Sequence, residues 1–273
     1  MAQDNKHELP FNNKAKRELM QPLITVAIST MGARVANISL PEETPGIEYL
    51  VLVQRSDGIQ PAALERRDVT ILHLKSLGLS NSRNAALTQA NGDFLLFNDD
   101  DIELNTTGIL ELQKTFIDDP KLALAAGWRR ERLPKSGARA GIHRLRTANS
   151  GRICAPEFML RLSLVRAANI TFDPKFGLGA EFGLGEEFIF ITDALKAGLK
   201  GVGFPIVTGA HPDESTGNDW QDPALMRARA AMLARVFGRR AAIARMAYAW
   251  RYRSRIGSTR RCLGFAFGGG ACE

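Results

Sequence analysis

Apolar residues fall into short β-branched runs, and between most of them lie helix-length stretches with their own start and stop signals. Leu23–Ser29, Ile47–Val53 and Val69–Leu74 each hold an apolar run bounded by polar or glycine residues, and each reads as a strand. Ser80–Ala90 reads as a helix, with Ser80 or Asn81 as its N-cap and Asn91-Gly92 as its stop. Asp93–Phe97 reads as a fourth strand, running directly into Asp99-Asp100-Asp101. Asn105 or Thr106 opens a helix through Phe116, and Leu122–Trp128 is another strand. Strands alternating with helices predict a mainly parallel central sheet covered by helices on both faces.

The rhythm breaks at residues 129–152, which hold seven arginines, one lysine and three glycines with little periodicity. This segment reads as a long loop or irregular hairpin, a length of loop that in compact domains is commonly functional or disordered. The pattern resumes with a strand at Ile153–Leu160, a glycine-rich loop at Phe172–Gly185, a helix at Glu186–Ala197 and a strand at Gly201–Val207. Asp222–Phe237 sets Leu225, Met226, Met232, Leu233, Val236 and Phe237 among arginines, the pattern of an amphipathic helix. A basic-aromatic segment, Arg239–Arg255, and a glycine-rich end follow. The division expected is a polar extension at 1–21, an α/β domain at 22–221 and a basic helical segment at 222–273.

Charge sharpens this division. The chain of 273 residues carries a net +7. Residues 224–273 hold eleven arginines, no lysine and one acid, so the tail is strongly basic and the body nearly neutral. Such asymmetry points to an electrostatic partner for the tail. Met1–Gln21 has no apolar core of a signal peptide, and no apolar run is long enough to span a bilayer, so the site is expected to face the cytosol. Cys154, Cys262 and Cys272 lack metal-ligand or redox spacing and are expected to be reduced.

Four places have the residue types for chemistry. Asp99-Asp100-Asp101 follows a buried strand at its carboxyl end, where ligands bind in open α/β sheets. Adjacent carboxylates repel unless a cation neutralises them, and oxygen ligands suit Mg²⁺ or Mn²⁺. Asp99 and Asp101 share one side of an extended segment; the alternative is a solvated turn. Glu186-Glu187 open a helix after a glycine-rich loop, as a general base on a rigid element or as acids stabilised by the helix dipole. His211 follows the strand ending at Val207, as a structural histidine or as a neutral imidazole completing a metal shell. Ser80-Asn81-Ser82-Arg83-Asn84 opens a helix, as a phosphate site or as ordinary capping.

In this order, these segments resemble the family 2 glycosyltransferases, which have the GT-A fold. The resemblance spans about residues 23–217. It rests on Thr25–Thr30, on Ser80–Asn84 for the family's S-x-x-R-N, and on Gly92–Asp101 for its glycine-aspartate strand ending in three acids. Gly185–Phe190 stands for its G-E-D-x-x-F motif, and Lys196-Ala197-Gly198, Pro205 and His211 follow in family order. The resemblance implies transfer of a sugar, with inversion, from a nucleotide-diphosphate sugar to a glycan or lipid-linked acceptor. It implies Mn²⁺ or Mg²⁺ held through Asp99, Asp101 and His211, and donor contacts at Ser29, Thr30, Asp57, Arg83, Asp99 and Asp100. Glu187 stands at the catalytic base, with Glu186 as its competitor. Where many members have a base-reading acid, this chain has Gln54-Arg55, with Asp57 beyond.

The expected location is cytoplasmic, with the basic tail either on the anionic inner face of the plasma membrane or packed on the catalytic domain. The arginine-rich segment is expected either to line the acceptor side or to form a solvated loop. A nucleotidyltransferase, a nucleic-acid-binding protein and a catalytically dead relative are the rival readings. The first lacks its glycine-rich loop after the first strand, and the second has no recognised motif, so nucleic acid is not an expected partner.

Overall fold

A computed structural model describes residues 23–56, 61–211 and 219–268. The proposed extension at 1–21 and its boundary therefore lie outside the described residues. A nine-stranded sheet runs β3-β2-β1-β4-β8-β6-β9-β5, with β7 paired to β9. Its first half is parallel: β1 (Ile24–Met31), β2 (Ile47–Gln54), β3 (Val69–Leu74) and β4 (Phe94–Asp99). β1, β2 and β4 are largely apolar and buried because both faces are covered, whereas the edge strand β3 leaves Thr70 and His73 exposed. Ala27, Leu50, Leu52, Leu95 and Phe97 pack on one face, while Val26, Ile28, Val51, Val53 and Leu96 pack on the other.

The second half of the sheet is mixed. β6 (Leu122–Arg129) and β9 (Lys200–Ala210) are parallel, while β8 (Phe158–Arg161) runs antiparallel between β4 and β6. Two-residue strands β5 (Glu103–Leu104) and β7 (His143–Arg144) add antiparallel edges to β9. Parallel pairing still dominates by length. The strand expected at Ile153–Leu160 is shorter and later, because Cys154 and Glu157 turn the chain before Phe158 with a backbone hydrogen bond of 2.6 Å. Residues 129–152 are an irregular excursion holding β7 and a single helical turn, α3 (Thr147–Ser150).

Helix α1 (Leu79–Gln89) starts one residue before the expected position, with Gly78 at its N-cap. Neither Ser80 nor Asn81 caps it. The Ser80 hydroxyl donates to the Phe176 carbonyl at 2.6 Å, and the Asn81 amide donates to the Leu77 carbonyl. Helix α2 (Thr106–Asp118) is capped by Asn105 as expected, with the Gly108 amide donating to its side chain. The short α4 (Leu162–Ala167) follows β8 directly.

The glycine-rich loop after α4 is pinned to α1. Asn84 donates to the Phe172 carbonyl at 2.9 Å and accepts from the Phe172 amide at 2.8 Å. The Phe172 ring stacks on Phe190 at 4.2 Å and meets Phe97 edge-on at 5.1 Å. Helix α5 (Glu186–Lys196) begins at Gly185, whose φ of 102° is the left-handed conformation that glycine adopts freely. A Cβ there would lie 2.8 Å from Met232, so the turn also needs the missing side chain.

The basic C-terminal segment folds as α6 (Pro223–Phe237), α7 (Ala241–Arg251), α8 (Arg253–Ile256) and α9 (Thr259–Phe267). Met226, Ala230, Leu233 and Val236 of α6 form one apolar cluster with Phe188 and Ile189 of α5. Arg235 of α6 pairs with Asp173 at 3.0 Å and Asp193 at 2.7 Å. The segment is thus packed on the α/β body through α6.

Candidate active site

The parallel register brings β1 and β4 to one sheet edge with Ser29 opposite Asp99. Here the three aspartates take different environments. Asp100 is buried, accepting from the Thr30 hydroxyl at 2.6 Å and from Arg34 Nε at 3.0 Å. The Asp100 hydrogen bond, first, and the nearby Asp101 charge raise the Arg34 guanidinium against its partial burial. Asp101 is half exposed, 3.4 Å from Arg34 and with Oδ1 3.7 Å from His211 Nε2. Asp99 faces the opposite way, toward α1 and α5.

There it meets Arg83, which is 1% exposed. The Arg83 guanidinium lies 3.4 Å from Asp99, 3.0 Å from Glu186 and 2.9 Å from Glu187. Burial opposes its charge, but the Glu187, Asp99 and Glu186 carboxylates outweigh burial and raise its pKa. One cation therefore links the aspartate motif of β4 to the glutamate pair of α5. Arg83, expected from the sequence near the donor, reaches these groups from the interior. Thr30 and Asp100 are likewise turned into their mutual hydrogen bond rather than toward an open site. Ser29 shares a 2.8 Å hydroxyl hydrogen bond with Ser82 of α1. The Gln54 amide donates to the Ser76 and Gly78 carbonyls, shaping the entry to α1. Asp57 lies outside the described residues.

The two glutamates differ. Glu186 is buried, and burial, with the neighbouring Glu187 charge, pushes its carboxyl up to about 8 against the pull of Arg83. Glu187 opens onto a cavity of about 1110 Å³ whose wall also includes His211. Ion pairs thus join Asp99 through Arg83 to Glu187, and Glu187 lines the same cavity as His211, whose Nε2 lies 3.7 Å from Asp101.

Among the described residues, no cluster of three or more His, Cys, Asp or Glu side chains is arranged to hold a metal ion. Of the three ligands expected from the sequence, Asp99 lies beside Arg83, while Asp101 and His211 face each other. Asp101 Oδ1 and His211 Nε2 remain, a carboxylate oxygen and an imidazole nitrogen at 3.7 Å. That donor pair fits Mn²⁺ or Mg²⁺ of the kind bound through one or two side chains with substrate phosphates and water filling the shell.

Glu157 was not among the residues singled out from the sequence. It is 1% exposed and lies 3.3 Å from Arg129 and 3.2 Å from Arg132. Burial pushes its carboxyl up despite these two cations. An acid three residues after Cys154 inside an apolar strand was the available signal: such a charge is almost never buried without a partner.

Residues 33–163 match the family model described as Glycosyl transferase family 2. No curated protein sequence matches the chain. Among solved structures, TarS of S. aureus in complex with UDP-GlcNAc is 19% identical, covering 89% of this chain and 75% of that one at a TM-score of 0.53. Glucosyl-3-phosphoglycerate synthase from Mycobacterium tuberculosis, with Mn²⁺, UDP and glucosyl-3-phosphoglycerate, is 15% identical over 85% and 86% of the two chains at 0.54. The mannosyltransferase PcManGT from Pyrobaculum calidifontis, with GDP-Man and Mn²⁺, is 15% identical over 92% and 74% at 0.55. At these identities what is shared is the fold, the GT-A arrangement of a central sheet flanked by helices.

Two measurements check this geometry. Arg83→Met leaves buried carboxylates without their cation and is expected to destabilise the fold by about 3–5 kcal/mol in urea unfolding. Because folding raises the Glu186 carboxyl above its ordinary value, its stabilisation is complete below about pH 4.5 and is lost as pH rises through about 8. The Tm advantage of the wild type over Glu186→Gln should therefore shrink steadily between about pH 5 and pH 8.

Proposed function

We propose that this chain, a member of the family 2 glycosyltransferases, transfers a sugar from a nucleotide-diphosphate sugar to an acceptor hydroxyl with inversion, and that Glu187 is the base. The observation that carries the reading is the joining of the Asp99–Asp101 edge to Glu187 through Arg83, beside a cavity large enough for an acceptor.

Glu187 rather than Glu186 suits the role, because it alone of the pair lines the cavity. Its carboxylate takes the proton of the acceptor hydroxyl as that oxygen attacks the anomeric carbon. The bond from that carbon to the donor diphosphate breaks on the opposite side, so a single displacement inverts the centre. Glu186, holding its own proton, sits behind Glu187, and Arg83 fixes both. Asp101 and His211 would hold Mn²⁺ or Mg²⁺, which supplies Lewis-acid stabilisation to the departing nucleoside diphosphate. Asp100, Thr30 and Arg34 hold the β4 end in place so that Asp101 points outward.

The C-terminal helices support a peripheral membrane location, with a glycan or lipid-linked acceptor. No helix among the described residues is long and apolar enough to cross a membrane. On α7, Ile243, Met246 and Trp250 are 65%, 41% and 72% exposed at spacings that share one helical face. Leu263 and Phe267 of α9 are exposed in the same way, and Arg239, Arg240, Arg253 and Arg260 are exposed around them. Apolar residues rimmed by arginine fit an anionic lipid surface. Ile243 also reaches the cavity wall, which sets that face beside the acceptor entrance.

Glu187→Gln is expected to lower turnover by about 10²–10⁴-fold while nucleotide-sugar binding persists. Asp101→Asn is expected to weaken donor binding only when Mn²⁺ is present. Titration calorimetry across UDP- and GDP-sugars, with and without Mn²⁺, reads both; unchanged turnover in Glu187→Gln removes it as the base. In vesicle flotation the chain should bind phosphatidylglycerol vesicles in a salt-sensitive manner. Ile243→Ser with Trp250→Ser should reduce that binding, and equal binding to phosphatidylcholine vesicles counts against the electrostatic part.

A further inference from the structure

The cavity beside Glu187 has arginines in two electrostatic conditions. Arg129 pairs with Glu131 and with the buried Glu157, and Arg132 pairs with Glu157. Arg139, Arg152 and Arg251 also line the cavity, and among the described residues none of them forms an ion pair with a carboxylate. They come from the arginine-rich excursion and from α7, two parts of the chain with no other shared task.

These three cations are held together by aromatic rings. The Arg139 guanidinium lies over Trp128 at 5.7 Å, and those of Arg152 and Arg251 lie against Tyr252 at 6.0 Å and 5.7 Å. Partial burial lowers the Arg139 guanidinium, and the nearby Arg152, Arg251 and Arg132 charges lower it further. Burial alone would raise the Tyr252 phenol, yet the Arg152 and Arg251 guanidiniums outweigh it and hold the phenol below its ordinary value. Both shifts report the same local excess of positive charge. Like charges gathered without a counter-ion repel one another, and an anion placed among them relieves that repulsion.

The rest of the cavity narrows the chemistry. Phe188, Phe237, Ile243 and Ala244 give it an apolar wall, and Glu187 stands within the same space. Guanidinium forks match the oxygens of a phosphate, which carries more charge and more acceptor oxygens than a carboxylate.

We propose that this cavity binds the acceptor through a phosphate group, with Arg139, Arg152 and Arg251 as its ligands and the hydroxyl to be glycosylated directed at Glu187. This rests on the transferase reading above. The phosphate can belong to a sugar phosphate or to a lipid phosphate, and the two differ in whether the apolar wall is used.

The test is ligand-induced thermal stabilisation of the full chain, followed by calorimetry. Glucose 6-phosphate and dihexanoyl phosphatidic acid are the phosphate probes, with glucose and dihexanoyl glycerol as their uncharged counterparts. The wild type should be stabilised by a phosphate probe and not by its counterpart. Arg139→Gln with Arg251→Gln should weaken that binding by about tenfold or more, since each change removes a charge-assisted hydrogen bond. If the double variant does not fold, Arg152→Gln, at the exposed end of the cluster, replaces it. Stronger binding of the lipid probe assigns the phosphate to a lipid, and stronger binding of the sugar probe assigns it to a sugar phosphate. Phosphate binding that is absent in the wild type, or unchanged in the variants, overturns the inference. UDP-GlcNAc and GDP-Man titrated into the wild type with Mn²⁺ separate the two failures, because donor binding without phosphate binding leaves the transferase reading standing.

Discussion

The site depends on one buried guanidinium. Arg83, itself 1% exposed, meets three carboxyl groups from two elements, the end of β4 and the start of α5. Removing a charge from water is expensive, so such a cluster persists only where the geometry satisfies its members. The Phe97 and Phe172 rings, 6.0 Å and 5.7 Å from the guanidinium, close the site against solvent. A lysine would supply the charge but not the planar fork that addresses Asp99 with one nitrogen and the glutamates with another. The cluster fixes where Glu187 stands relative to the aspartate edge, and every mechanistic statement about this chain inherits that distance.

The same cluster gives the S-x-x-R-N segment a task that its local sequence does not show. A serine, an arginine and an asparagine at a helix start have the chemistry of a phosphate site. Here each side chain points across to the loop and helix that carry the glutamates: Ser80 to the Phe176 carbonyl, Asn84 to both polar groups of the Phe172 backbone, and Arg83 to Glu186 and Glu187. The segment clamps a distant part of the chain to the sheet. Its partners are about 90 or more positions away in sequence, and nothing in local composition marks them.

Elsewhere the sequence was legible where structure is local. The central parallel strands β1, β2 and β4 are apolar runs because helices cover both faces, and Asn105 caps the helix it precedes. The arrival of three aspartates at a strand end also followed from the run before them. Their separate fates did not. Asp100 is drawn inward by Thr30 and Arg34, Asp99 by Arg83, and only Asp101 is left outward near His211. Those choices are made by residues on β1, the 32–37 turn and α1, far from the acids in the chain. Residues 129–152 were unreadable for a related reason: their order comes from Glu157 and from the C-terminal helices, not from any period of their own.

The chain's basicity also changes meaning once it is placed. Read along the sequence, the arginines form a basic tail and a basic loop. In space, part of that charge is neutralised by Glu157, Asp173 and Asp193, and part meets again in one cavity. Glu187 therefore stands at a boundary of electrostatic sign. On the proposed reading, a cation held at the aspartate side would offset the charge of the donor, and Arg139, Arg152 and Arg251 on the other side would offset that of the acceptor. A protein that brings two negatively charged molecules together must overcome their mutual repulsion. Supplying the compensating charge from a mobile ion on one side and from fixed arginines on the other would separate the two tasks and leave Glu187 between them to take the proton.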